Sequence, residues 1–407
     1  MRILLHDYSG HPFQVELSRE LARRGHAVLH LYSSAIHSPR GRLRREPGDA
    51  GGLAIEGIGI GGAIDKYGFA RRWFQERRYA DKLAARIATF APDAVISGNS
   101  PPHVQLAAQR AARAGKARFV FWLQDLYGEA AQRILPKRLK LAGSLAARWL
   151  TSAEASCLRR SDAVVAITED FVPLLQRYGV DGRHIAVIEN WSPLNEITPR
   201  PKDNDWSRRH QLSGTTNLIY AGTLGLKHNP SLLATLAETV ADRSDARVVV
   251  ASEGLGADFL AATKRERGLD QLVLLPFQDF ADLPDMLGAA DAVVALLEPD
   301  AGVFSVPSKV LTYLAAGRPI VGAMPRANLA ARLIEREQAG LVVAPDDPRA
   351  FVASCRRLLD DAAQRQTMAA NGRAYAERHF AVGPIADRFL ALLQSSENQV
   401  ANSNATR

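Results

Sequence analysis

Cysteine is scarce in this chain. Its 407 residues hold two, Cys157 and Cys355, in separate halves. Two thiols so placed exclude a disulfide framework and a cysteine zinc site, and they fit a reducing compartment. Long apolar runs are missing too. None reaches the ~18 residues that a bilayer span needs. The opening Met1-Arg-Ile-Leu-Leu-His6 has too brief an apolar core for a signal peptide and reads as a first strand. No G-x-G-x-x-G spans the turn after that strand, which argues against an NAD or FAD enzyme. No recognised nucleic-acid module is visible, so nucleic acid is not the expected partner.

What remains is a globular composition, with 47% hydrophobic and 23% charged residues, in a chain long enough for two or three domains. The net charge of +8 is unevenly spread. Residues 1–200 carry 29 Lys and Arg against 19 Asp and Glu, whereas residues 201–407 carry 22 against 24. A basic first half points to a polyanionic partner for one domain alone, with membrane phospholipid or a lipid-linked pyrophosphate the leading candidates.

Strand and helix signals alternate along the chain. In the first half, strand 2–5 leads through a loop containing Gly10 into a helix over 13–24, whose Phe13, Leu17 and Leu21 share one face. Strand 27–32 follows. Residues 38–52 are basic and Gly-rich and read as a mobile surface loop. A long helix is predicted over 67–90, where Phe69, Trp73, Phe74 and Tyr79 alternate with Arg71, Arg72, Arg77 and Arg78. Aromatics beside cations suit an anionic bilayer surface, although inward aromatics with solvated arginines would give the same pattern. Strands 93–97 and 118–123 end in polar rims, and Asp125 is the rim carboxylate to single out; capping of the following segment is its ordinary alternative. Residues 136–160 form a second basic stretch.

The polar, Pro-bearing segment after Trp191 reads as a linker. Beyond it, strand 217–221 leads through the Gly222–Pro230 loop into a helix, and Lys227 lies within reach of an anion there. The strongest local signal is the apolar strand 291–297, a loop to Pro307, Ser308 at a helix N-cap position, Lys309, a short helix over 310–316, the Gly317 stop and a further strand. A phosphate would be favoured at that helix start, with Lys309 adding a full charge.

Five stretches carry a resemblance: Ser9-Gly-His11 with the helix ending Leu21-Ala-Arg-Arg-Gly-His26, Trp122-Leu-Gln-Asp-Leu-Tyr127, Val187-Ile-Glu-Asn-Trp191, Tyr220-Ala-Gly-Thr-Leu-Gly225, and Pro307-Ser-Lys-Val-Leu-Thr-Tyr-Leu-Ala-Ala-Gly-Arg-Pro319. In this order they resemble glycosyltransferase family 4, and within it the bacterial group that builds O-antigen and other envelope polysaccharides. The resemblance implies an α/β fold of the GT-B type, two facing Rossmann-like domains with an interdomain cleft. It places an acceptor-side domain at 1–190, a linker at 191–215, a nucleotide-sugar domain at 216–375, a helix at 376–394 crossing back to the first domain, and a disordered tail at 395–407.

It also implies retaining transfer from a nucleotide-sugar, UDP-linked, without cofactor or metal. The absence of a D-x-D-type acidic cluster on a strand-end rim agrees, since a metal-bound diphosphate needs oxygen ligands. The acceptor would be a lipid-linked saccharide at the cytoplasmic face of the membrane, with the basic half resting on anionic lipid. Asp125 and His11 are expected on the acceptor or sugar side. Gly10, Gly222, Thr223, Lys227, Glu253, Ser308, Lys309 and Thr312 are expected at the donor and its phosphates, with Phe277 and Gln278 near the base. The departures are specific. Two family glutamates separated by seven residues become Phe304 and Thr312, a family Arg becomes Thr223, and a family His becomes Gln124. A sugar-nucleotide 2-epimerase of the same architecture and a non-catalytic partner subunit are the alternatives.

Overall fold

Short apolar runs bounded by polar rims become parallel strands buried on both faces. The first seven are β1 (Arg2–Asp7), β2 (Ala27–Ser33), β3 (Leu53–Ile58), β4 (Ala94–Gly98), β5 (Arg118–Leu123), β6 (Ala163–Ala166) and β7 (Ile185–Val187). They form one parallel sheet in the order β3-β2-β1-β4-β5-β6-β7. The chain reverses direction of travel between β1 and β4, the switch point at which open α/β sheets hold ligands beyond their C-terminal strand ends. The helices of this region are α1 (Pro12–Arg23), α2 (Phe69–Phe90), α3 (Pro102–Ala114), α4 (Tyr127–Arg159) and α5 (Val172–Arg177).

This computed structural model describes residues 1–36, 40–62, 64, 69–98, 100–225, 228–301 and 305–394. Tyr67, Lys227, Phe304 and the tail expected at 395–407 lie outside the described residues.

One local expectation changes. Residues 40–52, expected as a mobile surface loop, are irregular but tied down. Arg19 of α1 donates to the carbonyls of Arg42 and Arg44 and pairs with Asp49 at 2.9 Å, and Gly41 N donates to Gly10 O. The basic stretch around residue 140 is not a plain helix. Backbone angles of φ 48 and ψ −127 at Lys140 turn the chain within α4.

The second sheet contains β8 (Thr216–Ala221), β9 (Ala246–Ala251), β10 (Leu272–Leu275), β11 (Ala292–Leu296), β12 (Ile320–Ala323) and β13 (Gly340–Val343), all parallel, in the order β10-β9-β8-β11-β12-β13. Its switch point lies between β8 and β11. With it go α6 (Asp205–Arg209), α7 (Ser231–Thr239), α8 (Leu255–Arg267), α9 (Leu283–Gly288), α10 (Lys309–Ala315), α11 (Leu329–Arg336), α12 (Pro348–Asp360) and α13 (Ala362–His379), before α14 (Val382–Gln394) ends the described chain.

Two compact units result. One is Met1–Asn190 with the residues from Val382 onward, the other Trp191–Ala381. The polar segment after Trp191 packs within the second unit. Asn204 and Ser207 form a reciprocal capping box at α6, and Trp206 is buried with its indole N–H donating to Gln278 Oε1 at 2.9 Å. α14 completes the first unit. Phe389 packs against Trp122 in a tilted arrangement with ring centroids 4.7 Å apart, and Arg118 donates to Leu392 O at 2.7 Å.

Candidate active site

In the second unit the switch point is furnished by Lys309. Its side chain runs from the first residue of α10 to the end of β8, where the ammonium sits 3.6 Å above the Tyr220 ring centroid. The ammonium is buried and has no hydrogen-bond partner among the described residues. Burial pushes its pKa down from 10.5 to about 7. Gly222 ends β8 with φ 112, and a side-chain carbon there would stand 3.5 Å from the lysine nitrogen. The backbone angle is what calls for glycine, since that added carbon would make only an ordinary contact with the lysine. Tyr313, on α10, fixes the floor. Its hydroxyl accepts from Ala221 N at 3.1 Å and donates to Val294 O at 3.3 Å, joining the end of β8 to the middle of β11.

The other expected donor-side residues are placed as follows. Ser308 occupies the N-cap position of α10, as expected, but its backbone is already helical and its exposed side chain makes no capping hydrogen bond. Thr312 lies one turn along α10, part-exposed. Thr223 is exposed, and its carbonyl accepts from Tyr220 OH at 2.8 Å. Glu253 follows β9 and accepts from the backbone N of Phe277, beyond β10, at 3.3 Å, so these two rim residues come together. Gln278 is committed on both sides of its amide, to Trp206 and to Pro276 O.

In the first unit, Asp7 organises the β1–α1 loop. Its carboxylate accepts from the backbone N of Ser9 at 3.1 Å, from His11 N, and from His11 Nδ1 at 3.1 Å. Gly10 takes φ 81 inside this turn. Burial works against a charged His11, but the Asp7 carboxylate and the charge of Asp125 outweigh it, so the imidazole pKa lies above its ordinary value. His11 and Asp125 thus share one electrostatic neighbourhood at the ends of β1 and β5. Gln124 pairs with Asn190 through both amides, at 2.6 and 3.3 Å.

Beside them lies a polar group that sequence reading missed. Arg72 donates to Glu76 at 2.7 Å, and His103 Nε2 lies 3.4 Å from the other Glu76 oxygen. Burial holds His103 near a pKa of about 4 and raises that of Glu76. Both His103 nitrogens and the Tyr8 hydroxyl are buried without a hydrogen-bond partner among the described residues. Arg72 is not a free cation here, since it is paired with Glu76.

Two family models match the chain in tandem, Glycosyltransferase Family 4 over residues 13–195 and Glycosyl transferases group 1 over residues 215–361. The chain is a glycosyltransferase. Among curated relatives, this glycosyltransferase is 24% identical over 294 residues to WbjE of Pseudomonas aeruginosa, named as a glycosyltransferase, covering 71% of this chain and 70% of that one. It is 26% identical over 252 residues to WcaI of Escherichia coli strain K12, named as a colanic acid biosynthesis glycosyl transferase, with 61% of each covered. Solved structures show the GT-B fold. Anabaena HepE in complex with UDP and glucose superposes with a TM-score of 0.71 at 17% identity, over 97% of this chain and 100% of that one. WaaG, a glycosyltransferase involved in lipopolysaccharide biosynthesis, superposes with a TM-score of 0.67 at 14% identity over the same shares.

The long basic helix of the transferase divides as its sequence allowed. Tyr79 is buried and shares a hydrogen bond with buried His6, whereas Trp73 and Phe74 stand exposed among arginines. Arg72 could have been singled out only by knowing which face of α2 turns toward the β1 rim; the signal was a cation four residues from Glu76.

Proposed function

We propose that this glycosyltransferase moves a sugar from a UDP-linked donor, with retention of anomeric configuration, to a lipid-linked glycan acceptor in envelope polysaccharide synthesis at the cytoplasmic membrane face. The observation that carries the reading is Lys309, a buried ammonium without a hydrogen-bond partner among the described residues, held against Gly222 at the switch point of the second sheet. A diphosphate supplies what that ammonium lacks. As the bond between the anomeric carbon and phosphate oxygen breaks, the electron pair stays on the leaving diphosphate, and Lys309 stabilises the charge that develops. The acceptor hydroxyl oxygen forms the new bond to carbon, and its proton passes to the departing phosphate oxygen. Thr312 offers a hydroxyl where the family has a ribose-binding carboxylate.

On the first unit, His11 and Asp125 serve the acceptor or sugar side. His103 and Tyr8 add neutral hydrogen-bonding groups suited to saccharide hydroxyls. The relatives' names support a polysaccharide setting, and the UDP in HepE supports the choice of nucleotide.

The test pairs calorimetric titration with UDP and a transfer assay. A panel of UDP-sugars is offered to polyprenyl-diphosphate-linked saccharides, with product analysis also run without acceptor. UDP binding and glycan extension are expected. Epimerised sugar nucleotide without acceptor, or neither binding nor transfer across the panel, would overturn the reading.

A further inference from the structure

The basic stretch around residue 140 has a shape that its sequence did not announce. α4 is two antiparallel helical halves folded at Lys140. Gln132 Nε2 donates to Thr151 Oγ1 at 3.0 Å across the pair, and the backbone N–H groups of Tyr127 and Gly128 donate to Glu154 at 2.9 and 2.8 Å. Ala131, Leu135 and Ala147 form their own small core. The halves come so close near the turn that a side-chain carbon on Gly143 would lie 2.2 Å from Leu135 O. A non-glycine residue at φ 48 and ψ −127 is costly and persists only where its surroundings impose it.

The far end of this hairpin is apolar and in water. Leu139, Leu141, Leu145 and Trp149 are exposed, Leu141 at 83% and Leu145 at 68%. From residue 130 to 153 the sequence has five cations, Arg133, Lys137, Arg138, Lys140 and Arg148, and no carboxylate. A leucine tip ringed by lysine and arginine matches one surface in particular, an anionic bilayer, where the apolar side chains enter the acyl boundary and the cations stay among the headgroups.

We infer that the α4 hairpin is a membrane-inserting prong that docks the first unit on anionic lipid through Leu141, Leu145 and Trp149. The inference rests on the reading above, in which the acceptor is carried on lipid, and assigns the contact to this hairpin rather than to α2. A prong that enters only the near leaflet needs no span, and no helix among the described residues is long and apolar enough to cross a membrane.

Sedimentation of the full chain with vesicles tests it. One set contains equal parts phosphatidylglycerol and phosphatidylcholine, the other phosphatidylcholine alone. Wild type is expected to bind the anionic vesicles and to be released by salt. Leu141→Ser with Leu145→Ser is expected to weaken binding at least about tenfold, and Lys137→Gln with Lys140→Gln by about fivefold for each charge removed. Brominated lipid is expected to quench Trp149, seen as quenching lost in Trp149→Phe. Unchanged binding of the double-leucine variant, or quenching that survives Trp149→Phe and disappears with Trp73→Phe, would overturn the assignment. So would a dimer in solution that the double-leucine variant abolishes, since the tip would then belong to a second copy. UDP titration of the same samples separates the two readings, because a chain that binds UDP but no vesicle sinks the prong alone.

Discussion

A buried ammonium with no hydrogen-bond partner among the described residues is a group waiting for charge, and its titration gives a direct test. Lys309 has a pKa of about 7 in the folded chain against 10.5 as an ordinary lysine. Between those values the unfolded chain binds more protons than the folded one, so this residue makes the unliganded protein more stable as pH rises through that window. A bound diphosphate reverses the preference by favouring the ammonium. Above pH ~7, UDP binding is therefore expected to take up a proton and to weaken by up to about tenfold per pH unit. Lys309→Met is expected to lose about tenfold to a hundredfold in UDP affinity and to flatten the profile, with no loss of stability. Calorimetry in buffers of different ionisation enthalpy reads affinity and proton uptake together; a wild-type affinity indifferent to pH would contradict the account. Lys309 was legible because Pro307 and Gly317 bracket it behind an apolar strand. Tyr220 and Tyr313 were not, because a tyrosine at a strand end or on a short helix looks the same whether it fills a core or floors a site.

At the scale of elements, α4 depends on Glu154 from its own second half. That carboxylate accepts from the two leading backbone N–H groups, and burial, opposed by those same donors, raises its pKa to about 7. A carboxyl raised in this way holds its proton in the folded chain where the unfolded chain has lost it. Its contribution is full below the ordinary carboxyl range and is lost as pH rises through ~7. Glu154→Ala leaves two buried N–H groups without an acceptor and is expected to cost ~1–3 kcal/mol, whereas Glu154→Gln retains one acceptor and removes the pH dependence. Urea unfolding of the full chain near pH 5 and pH 8 checks both, and an alanine variant as stable as wild type would show that the cap is dispensable. Most strands were legible because continuous apolar runs have few alternatives once flanked by polar turns; β3, largely part-exposed along Leu53–Ile58, was not. The hairpin was hidden because residues 127–159 are mostly helix formers, interrupted at Gly128, Pro136 and Gly143, and its turn falls on a lysine, where sequence rules look for glycine. The segment after Trp191 misled for the opposite reason: prolines and charges mask the single buried indole, Trp206, that fastens it to the second unit.

Over the whole molecule, sequence order and structural membership part company at Ala381. The last described helix follows the second unit in the chain and belongs to the first. α14 inserts Phe389 against Trp122, pairs Asp387 with Arg24, and takes Arg24 to Gly383 O at 2.7 Å. Arg388 returns to Val187 O on the edge strand β7. The first unit is thus completed by residues that follow the second unit in the chain, and its stability cannot be complete until residues 382–394 are present. Phe389→Ala removes a buried aromatic from this contact and is expected to cost ~3–5 kcal/mol. Ending the chain at Ala381 is expected to lower the first unit's unfolding midpoint further while leaving UDP binding by the second unit within about twofold. Thermal scans with and without UDP assign the transitions, because a ligand raises only the unit that binds it. If the truncated chain keeps both midpoints, α14 is an appendage; if it loses UDP binding as well, the donor site depends on the first unit, and Lys309 does not act within the second unit alone.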